Sequence, residues 1–353
     1  MKLTIRVVTP VLIRDSRECH WFEFFRRGSY MSFVDIDATL SRLDTSEIRE
    51  FNSIVRDYLG MKELGIKTVE RRNRDLAHTQ EDLNRLFAKL DGEGRLAEVL
   101  PEINIGTGDP PFSKTPDADV PVHAGSDGKH GATVYIRGSS LKGLFETALF
   151  YSVTRGTYRR DRIDPLLTVR KAQMNFLYKM TSFIQFSDFI PEKKPELKFY
   201  LMKRRGRGGS ELTGNGVFIS GGEFTGDFSL RKEPLLAISR NSDNFVSGMR
   251  TLFGDFHVPE STDDVNYLEG AIVDHMLRSS EEFLSEISRK FKDSGRDITL
   301  EACNGTIGGF RGNLFINAER TMGKVPKTYW YIEENGKKKM PGQIYITRVR
   351  ADA

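Results

Sequence analysis

A glycine-rich loop late in the chain has the composition of a phosphate-binding segment. Residues 304–313 read NGTIGGFRGN. Glycine lets backbone N–H groups approach a phosphate closely because it has no Cβ, and Arg311 adds a bidentate donor. The alternative is a bulge or hairpin loop that needs glycine only for its backbone angles. The loop matches neither the dinucleotide-binding nor the P-loop pattern, so no nucleotide cofactor is expected. The candidate contacts are Gly308, Gly309, Arg311 and Gly312.

A second segment places serine and lysine at the start of a helix. Residues 135–143 read YIRGSSLKG, in which a short strand leads through a glycine turn into the helix. Free N–H groups at a helix N-terminus bind phosphate, and a lysine there opposes the helix dipole unless an anion neutralises it. The alternative is a serine-capped helix with a solvated lysine. The candidate contacts are Gly138, Ser139, Ser140, Lys142 and Gly143.

Further basic residues occur in runs that the net charge conceals. The chain carries a formal net charge of +4. Residues 259–286 hold eight acidic residues and one basic residue, so the remainder of the chain is strongly basic. Such asymmetry suits a protein that binds a polyanion on one side, although a charge run can also be a solvated surface. The candidates from these runs are Lys203, Arg204, Arg205, Arg207, Arg14 and Arg17.

The residue types needed for catalysis form no recognisable set. None of the six histidines is paired at i and i+4 or stands in an HExxH context, and the two cysteines form no CxxC motif. We therefore expect no catalytic residue, no metal and no cofactor. His20 is the best candidate if the chain is a metal-independent ribonuclease. Asp35 and Asp37 are expected to cap a helix or face solvent rather than bind a metal.

The composition is that of a folded protein of the cytoplasm. Hydrophobic residues make up 38% and aromatic residues 10%, which is enough for packed cores and argues against a disordered chain. No apolar run is long enough to cross a bilayer, and the first residues lack the apolar core of a signal peptide. Two free cysteines fit a reducing compartment. We expect a cytoplasmic protein without a membrane partner.

The elements that must hold these segments in place are predicted from periodicity. Residues 2–13 alternate apolar and polar side chains, which predicts a strand with one buried face. Asp44 with Glu47 forms a capping-box pattern, and Thr79 is expected to cap a second helix. Residues 101–131, rich in Pro, Gly and Asp, predict a long mobile loop. Further strands are predicted at 30–36, 132–136, 182–190, 197–202, 216–219, 222–230, 328–332 and 343–349, and further helices at 138–149, 242–253 and 274–293. This alternation predicts an α+β fold with antiparallel sheets rather than a doubly wound parallel sheet.

The sequence resembles the RAMP superfamily of CRISPR–Cas proteins. Those proteins begin with an alternating strand that runs into a TP step, here Thr9–Pro10, and carry an IPGSSxKG helix start, here residues 136–143. They also carry a strand resembling FxVSD, here FSD at 186–188, then a glycine-rich loop and a PLGW-like strand entry, here residues 340–343. Length and pattern are most similar to the subunit that caps the crRNA at its 3′ end in the type III-A Csm effector complex.

The resemblance implies two ferredoxin-like (RRM-like) domains with antiparallel sheets and long inserted loops. They would be residues 1–192, with a helical insertion and the loop near 101–131, and residues 193–353, with the glycine-rich loop. It implies a non-catalytic crRNA-binding subunit that supports crRNA maturation and antiviral defence. Its partners would be crRNA and a neighbouring RAMP backbone subunit, with recruited host nucleases left open as a further partner.

Three alternatives stay open. The first is a metal-independent RAMP endoribonuclease that processes CRISPR repeat RNA. The second is another RAMP subunit of a type III effector, since Arg137 replaces the usual proline and residues 14–17 replace a GxG step. The third is a protein-interaction scaffold, which the acidic segment 259–286 would suit.

Overall fold

The computed structural model describes the chain in segments. The described residues are 1–12, 18–63, 69–105, 117–119, 134–154, 182–205, 211–241, 246, 249–250, 262–308 and 329–349. Their strands are β1 (Lys2–Val7), β2 (Glu18–His20), β3 (Phe24–Arg27), β4 (Tyr30–Val34), β5 (Glu98–Asn104), β6 (Asp117–Asp119), β7 (Ile184–Phe186), β8 (Ile190–Pro191), β9 (Glu196–Arg205), β10 (Glu211–Gly221), β11 (Glu223–Leu230), β12 (Gly305–Thr306), β13 (Tyr329–Glu334), β14 (Lys337–Lys339) and β15 (Gln343–Arg348). Their helices are α1 (Ile36–Leu40), α2 (Thr45–Glu63), α3 (Val69–Gly92), α4 (Gly138–Thr154), α5 (Lys232–Asn241) and α6 (Thr262–Asp293).

A first sheet joins strands from both ends of the described chain. Its order is β12–β15–β1–β11–β7, with β8 also beside β11, and β1 pairs antiparallel with both β11 and β15. The predicted alternation of the first strand is confirmed, because Leu3 and Ile5 are fully buried whereas Lys2 and Arg6 are exposed. One face of this sheet therefore lines the core.

A second, nine-stranded sheet has the order β2–β6–β10–β9–β5–β4–β3, with β13 paired to both β9 and β14. Its longest ladder is the antiparallel pair of β9 and β10. Two contacts are parallel, at Asn104 opposite Lys198 and at Gly216 opposite Asp119. The predicted α+β fold with largely antiparallel sheets is confirmed. Both sheets contain strands from either side of residue 193, so a division at that point does not separate one sheet from the other.

The inner face of the first sheet is covered by α4 and α6, which pack against each other. The ring of Phe145 on α4 stacks on Phe186 with centroids 4.9 Å apart and meets Phe228 at 6.1 Å. Full burial of an apolar side chain of this size stabilises a fold by about 1.5–3 kcal/mol. The predicted apolar face of this helix is confirmed by the burial of Leu141, Leu144, Phe145, Ala148 and Leu149.

The start of α2 agrees with the prediction from the sequence, whereas the start of α3 does not. Oδ1 of Asp44 accepts from the N–H of Glu47 at 2.9 Å, and Oε2 of Glu47 accepts from the N–H of Asp44 at 2.9 Å, so the predicted capping box is confirmed. The helix predicted to begin at Thr79 begins at Val69 instead, and Thr79 is buried within it. Residues 70–78 are rich in Glu, Arg, Leu and Ala, which favour helix, so the chain is helical before it reaches the threonine.

Two further predictions need correction. The predicted loop over residues 101–131 contains the end of β5 and all of β6, and the burial of Ile103 outweighs the local proline and glycine content. The helix predicted from residue 274 begins at Thr262, with two aspartates in its first turn, where negative charge is favourable. The rest of the predicted loop lies outside the described residues, as does most of the predicted helix over 242–253.

Candidate nucleic-acid interface

The start of α4 is held against the segment that follows β7. The N–H of Gly138 donates to Oδ1 of Asp188 at 3.0 Å. A Cβ on Gly138 would lie 2.4 Å from the carbonyl oxygen of Phe186 and 2.6 Å from that of Ser187. The glycine is therefore required by a close contact within the protein, and one N–H group of the helix start already has a negatively charged partner.

The remaining residues of this helix start differ in exposure. Ser139 is exposed, Ser140, Lys142 and Gly143 are half-buried, and Leu141 is fully buried. The buried leucine fixes the rotation of α4 about its axis, so the flanking polar residues are held at the surface. The arrangement can offer a hydroxyl and an ammonium group to an anion that passes the helix start.

The root of the glycine-rich loop lies directly beside α4. A Cβ on Gly305 would lie 2.5 Å from Cδ1 of Leu144, which follows Gly143 in the chain. Gly308 has a φ of 91°, in the left-handed region that favours glycine. The structure therefore brings together two glycine segments that are far apart in the sequence.

A buried polar network fixes the position of that root. The N–H of Gln343 donates to Oγ1 of Thr9 at 2.9 Å, and this hydroxyl donates to the carbonyl of Met340 at 2.9 Å. Asn304 donates to the carbonyl of Ile346 at 2.8 Å and accepts the N–H of Ile346 at 2.7 Å. Buried polar groups are costly unless they are paired, so these contacts specify one arrangement of the chain before the loop.

The predicted basic run at residues 203–205 lies on the second sheet, apart from the two glycine segments. Nζ of Lys203 lies 2.8 Å from Oε2 of Glu333, which neutralises part of the run within the protein. The guanidinium of Arg204 lies 5.8 Å from the ring centroid of Trp330, and Arg205 is exposed. An arginine beside a tryptophan is a surface on which bases can stack.

The acidic segment is also partly used within the protein. Oε1 of Glu269, which is buried, accepts from the N–H of Leu230 at 2.9 Å, and Asp274 forms an ion pair with Arg348 at 2.5 Å. The exposed Glu281 and Glu282 line a groove of about 740 Å³ at the side of α6. Part of the predicted acidic surface is therefore engaged within the protein.

His20 and Asp35, two candidates from the sequence, make contacts within the protein. The ring of His20, at the end of β2, stacks on Phe22 with centroids 5.2 Å apart. Oδ1 of Asp35 accepts from the N–H of Ala38 at 2.9 Å, so the predicted helix-capping role is confirmed. Within the described ranges, no three His, Cys, Asp or Glu side chains are grouped so that they could hold a metal ion.

None of the helices in those ranges is long and apolar enough to span a membrane.

Several sequence candidates lie outside the residues that the structure describes: Gly309, Arg311, Gly312, Arg207, Arg14 and Arg17. Their phosphate contacts stay predictions. Conversely, Asp188, Asn304 and Gln343 shape the site but were given no role from the sequence. For Asp188 the available signal is its place in the FSD motif, of which only Phe186 lies in β7. Asn304 and Gln343 stand at the edges of the glycine-rich loop and the PLGW-like segment, but the sequence gives no sign that they are buried, because polar residues beside glycine are typical of exposed turns.

The fold is similar to that of a solved chain from a CRISPR–Cas complex. A chain in the cryo-EM structure of a Csm–crRNA–target RNA ternary complex of a type III-A system matches with a TM-score of 0.53 and 14% sequence identity, over 98% of this chain and 100% of that chain. A crystal structure of T. onnurineus Csm5 matches with a TM-score of 0.47 and 14% identity, over 97% of this chain and 99% of that one. No protein-family model and no curated protein matches the sequence. The resemblance to a Csm-complex protein is thus confirmed at the level of the fold.

Proposed function

We propose that this chain, which has the fold of a Csm-complex protein, is a crRNA-binding subunit of a type III-A CRISPR effector. The observation that carries the proposal is the fold shared over 98% of the chain with a chain of an RNA-bound Csm complex. A local observation supports it, since the start of α4 and the root of the glycine-rich loop meet at Leu144 and Gly305. The crRNA backbone would pass both segments and be bound through its phosphates, largely without reading of bases.

Within the effector we place the chain at the 3′ end of the crRNA, where it caps the filament and supports crRNA maturation and antiviral defence. The length of 353 residues and the order of the sequence motifs support this position. The partners in this proposal are crRNA and a neighbouring RAMP backbone subunit. The fold and the comparisons give no support to host nucleases as partners, and the proposal leaves them out.

The RNA contact is tested with alanine substitutions at Lys142 and Arg311. Each should weaken crRNA binding and lower the slope of log affinity against log salt by about 0.7, the value for one phosphate contact on a single strand. The matched control is Lys292→Ala at an exposed position near the end of α6, which should change neither quantity. Filter binding over a salt series measures both. Wild-type affinity in both variants would contradict the assignment.

We propose no catalytic role for the chain. The competing interpretation, a metal-independent endoribonuclease, is tested by incubating the purified chain with repeat RNA in the presence and absence of EDTA. We expect no specific cleavage under either condition. Specific cleavage that persists in EDTA and is lost in His20→Ala would favour the nuclease instead.

A further inference from the structure

The outer face of the first sheet, opposite α4 and α6, carries two columns of opposite charge. Lys2 and Arg6 are exposed on β1, and Glu223 and Asp227 are exposed on the neighbouring β11. The strand register places Lys2 opposite Asp227 and Arg6 opposite Glu223. Although all four residues are described, no ion pair within 4.0 Å joins either couple. The guanidinium of Arg6 instead lies over the ring of Tyr345, 5.6 Å from its centroid.

The same outer face exposes apolar side chains. Of the seven large apolar or aromatic side chains that are exposed among the described residues, three project from this face: Ile190, Tyr345 and Val349. Within each column a threonine separates the two charged residues: Thr4 on β1 lies opposite Thr225 on β11, and both are short side chains that keep the surface flat. Tyr345 on β15 and Ile190 on β8 flank the two charged strands on opposite sides, so apolar side chains border the charged columns.

RNA fits this face poorly. The two columns are neighbouring strands, about 5 Å apart, so a phosphate backbone beside Lys2 and Arg6 would also meet the carboxylates of Glu223 and Asp227. The four charges cancel, so displacement of counterions from RNA would gain little affinity. A protein that presents acidic side chains to β1 and basic side chains to β11 satisfies all four groups at once.

From this charge pattern we infer that the outer face docks a protein subunit with acidic groups over β1, basic groups over β11 and apolar groups at Tyr345 and Ile190. The inference rests on the proposed function, because it identifies that subunit as a neighbour of this chain in the RNA-bound complex. From spacings of about 3.3 Å per residue and 4.8 Å per strand, the face covers roughly 400 Å². A standard interface buries about 800 Å² on each partner, roughly twice this area. The two proteins would therefore bind each other weakly by themselves, and a crRNA bound to both would strengthen the contact by raising their effective concentration.

The test exchanges the two columns. The variant with Lys2→Asp, Arg6→Glu, Glu223→Arg and Asp227→Lys keeps the net charge and keeps opposite charges across the strands, so the sheet and the general attraction to RNA are preserved. The matched control exchanges signs at four exposed positions of α2, with Arg49→Glu, Glu50→Arg, Arg56→Asp and Asp57→Arg. Each tagged chain is produced with the other effector proteins and a crRNA, and its recovery in the assembled complex is measured.

We expect the column exchange to lower recovery in the complex at least tenfold, with unchanged crRNA affinity of the isolated chain and unchanged thermal unfolding, whereas the α2 control enters the complex normally. Normal recovery of the exchanged variant would overturn the docking surface alone. If the exchange also lowered the crRNA affinity of the isolated chain, the face would be an RNA-binding surface. If the wild-type chain formed a dimer that the exchange dissociates, the partner on this face would be a second copy of the chain. Either result would overturn the inference. Failure of the wild-type chain to enter the complex would overturn the proposed function as well.

Discussion

Gly138 and Asp188 are 50 residues apart in the sequence, yet the N–H of the glycine donates to the carboxylate of the aspartate at 3.0 Å across the start of α4. The contact uses one of the N–H groups with which a helix start binds an anion, and it places a negative charge beside the others. A phosphate that passes Ser139 and Lys142 would be repelled by this carboxylate.

Asp188→Asn keeps an acceptor oxygen for the N–H of Gly138 and removes the charge. We expect RNA to bind about twofold to fivefold more tightly at low salt, because a charge at a helix end is worth about 0.3–1 kcal/mol. Filter binding at low and high salt measures the effect, and Asp227→Asn on the outer face of the first sheet is the control. Unchanged affinity in Asp188→Asn would mean that the phosphates do not pass this helix start.

Gly138→Ala should destabilise the fold, because its Cβ would lie 2.4 Å and 2.6 Å from two backbone carbonyl oxygens. Overpacking of this kind costs about 1–3 kcal/mol. Ser139→Ala, at the exposed neighbouring position, should stay within about 0.5 kcal/mol of the wild type. Urea unfolding followed by circular dichroism compares the two. Equal stability of the two variants would show that the backbone does not approach Gly138 this closely.

A double-mutant cycle should detect the contact between α4 and the glycine segment. Leu144→Ala is expected to cost about 2–5 kcal/mol and Gly305→Ala about 1–3 kcal/mol. Since the smaller side chain makes room for the new Cβ, the double variant should lose less than the sum, by about 0.5–3 kcal/mol. Gly305→Ala combined with Leu83→Ala on α3 should be additive. If the effects of Leu144→Ala and Gly305→Ala were additive, α4 and the glycine segment would not be in contact.

The stability of the helical pair α2 and α3 should depend on pH through the ionisation of the Glu47 carboxyl group. Hydrogen bonds from Arg95, from Lys89 and from the N–H of Asp44 lower the pKa of Glu47 from 4.5 to about 2. Because the pKa is lower in the folded state, the carboxylate stabilises the fold above pH 4.5, and this contribution is lost as the pH falls from 4.5 towards 2.

Glu47→Gln should therefore lower the urea midpoint at neutral pH and flatten its decline between about pH 5 and pH 2. The exposed Glu50→Gln on the same helix should leave the wild-type profile nearly intact. Urea midpoints measured across this pH range compare the three proteins. A Glu47→Gln profile parallel to that of the wild type would contradict the assigned role of Glu47.

Local patterns predicted the elements of this fold well where the physical cause is local. The alternation around Leu3 and Ile5 and the reciprocal bonds of Asp44 and Glu47 depend on residues a few positions apart, and both are confirmed. Local propensity also misled, because Thr79 resembles a cap although the preceding residues already form α3. A capping residue marks a helix start only when the residues before it cannot continue the helix.

The parts that the sequence could not predict depend on contacts between distant residues. The candidate segments near Gly138 and Gly305 were recognised separately, but their meeting at Leu144 follows from the packing of α4 on the first sheet. Likewise, the ion pair of Lys203 with Glu333 depends on the pairing of β9 with β13. Composition identifies a basic run, whereas the neutralisation of that run is a property of the tertiary structure.

The position of β1 between β11 and β15 governs the order in which the protein can fold. The bond from Gln343 to Thr9 joins residues 334 positions apart. Such contacts are reached only after a large loss of chain entropy, and folds dominated by them form in about milliseconds to seconds rather than microseconds. During synthesis, one edge of β1 stays unpaired until β11 has left the ribosome, and the other edge stays unpaired until β15 has followed. Assembly of the first sheet is therefore a late step in the biogenesis of this chain, and it exposes a strand to aggregation until translation has passed β15.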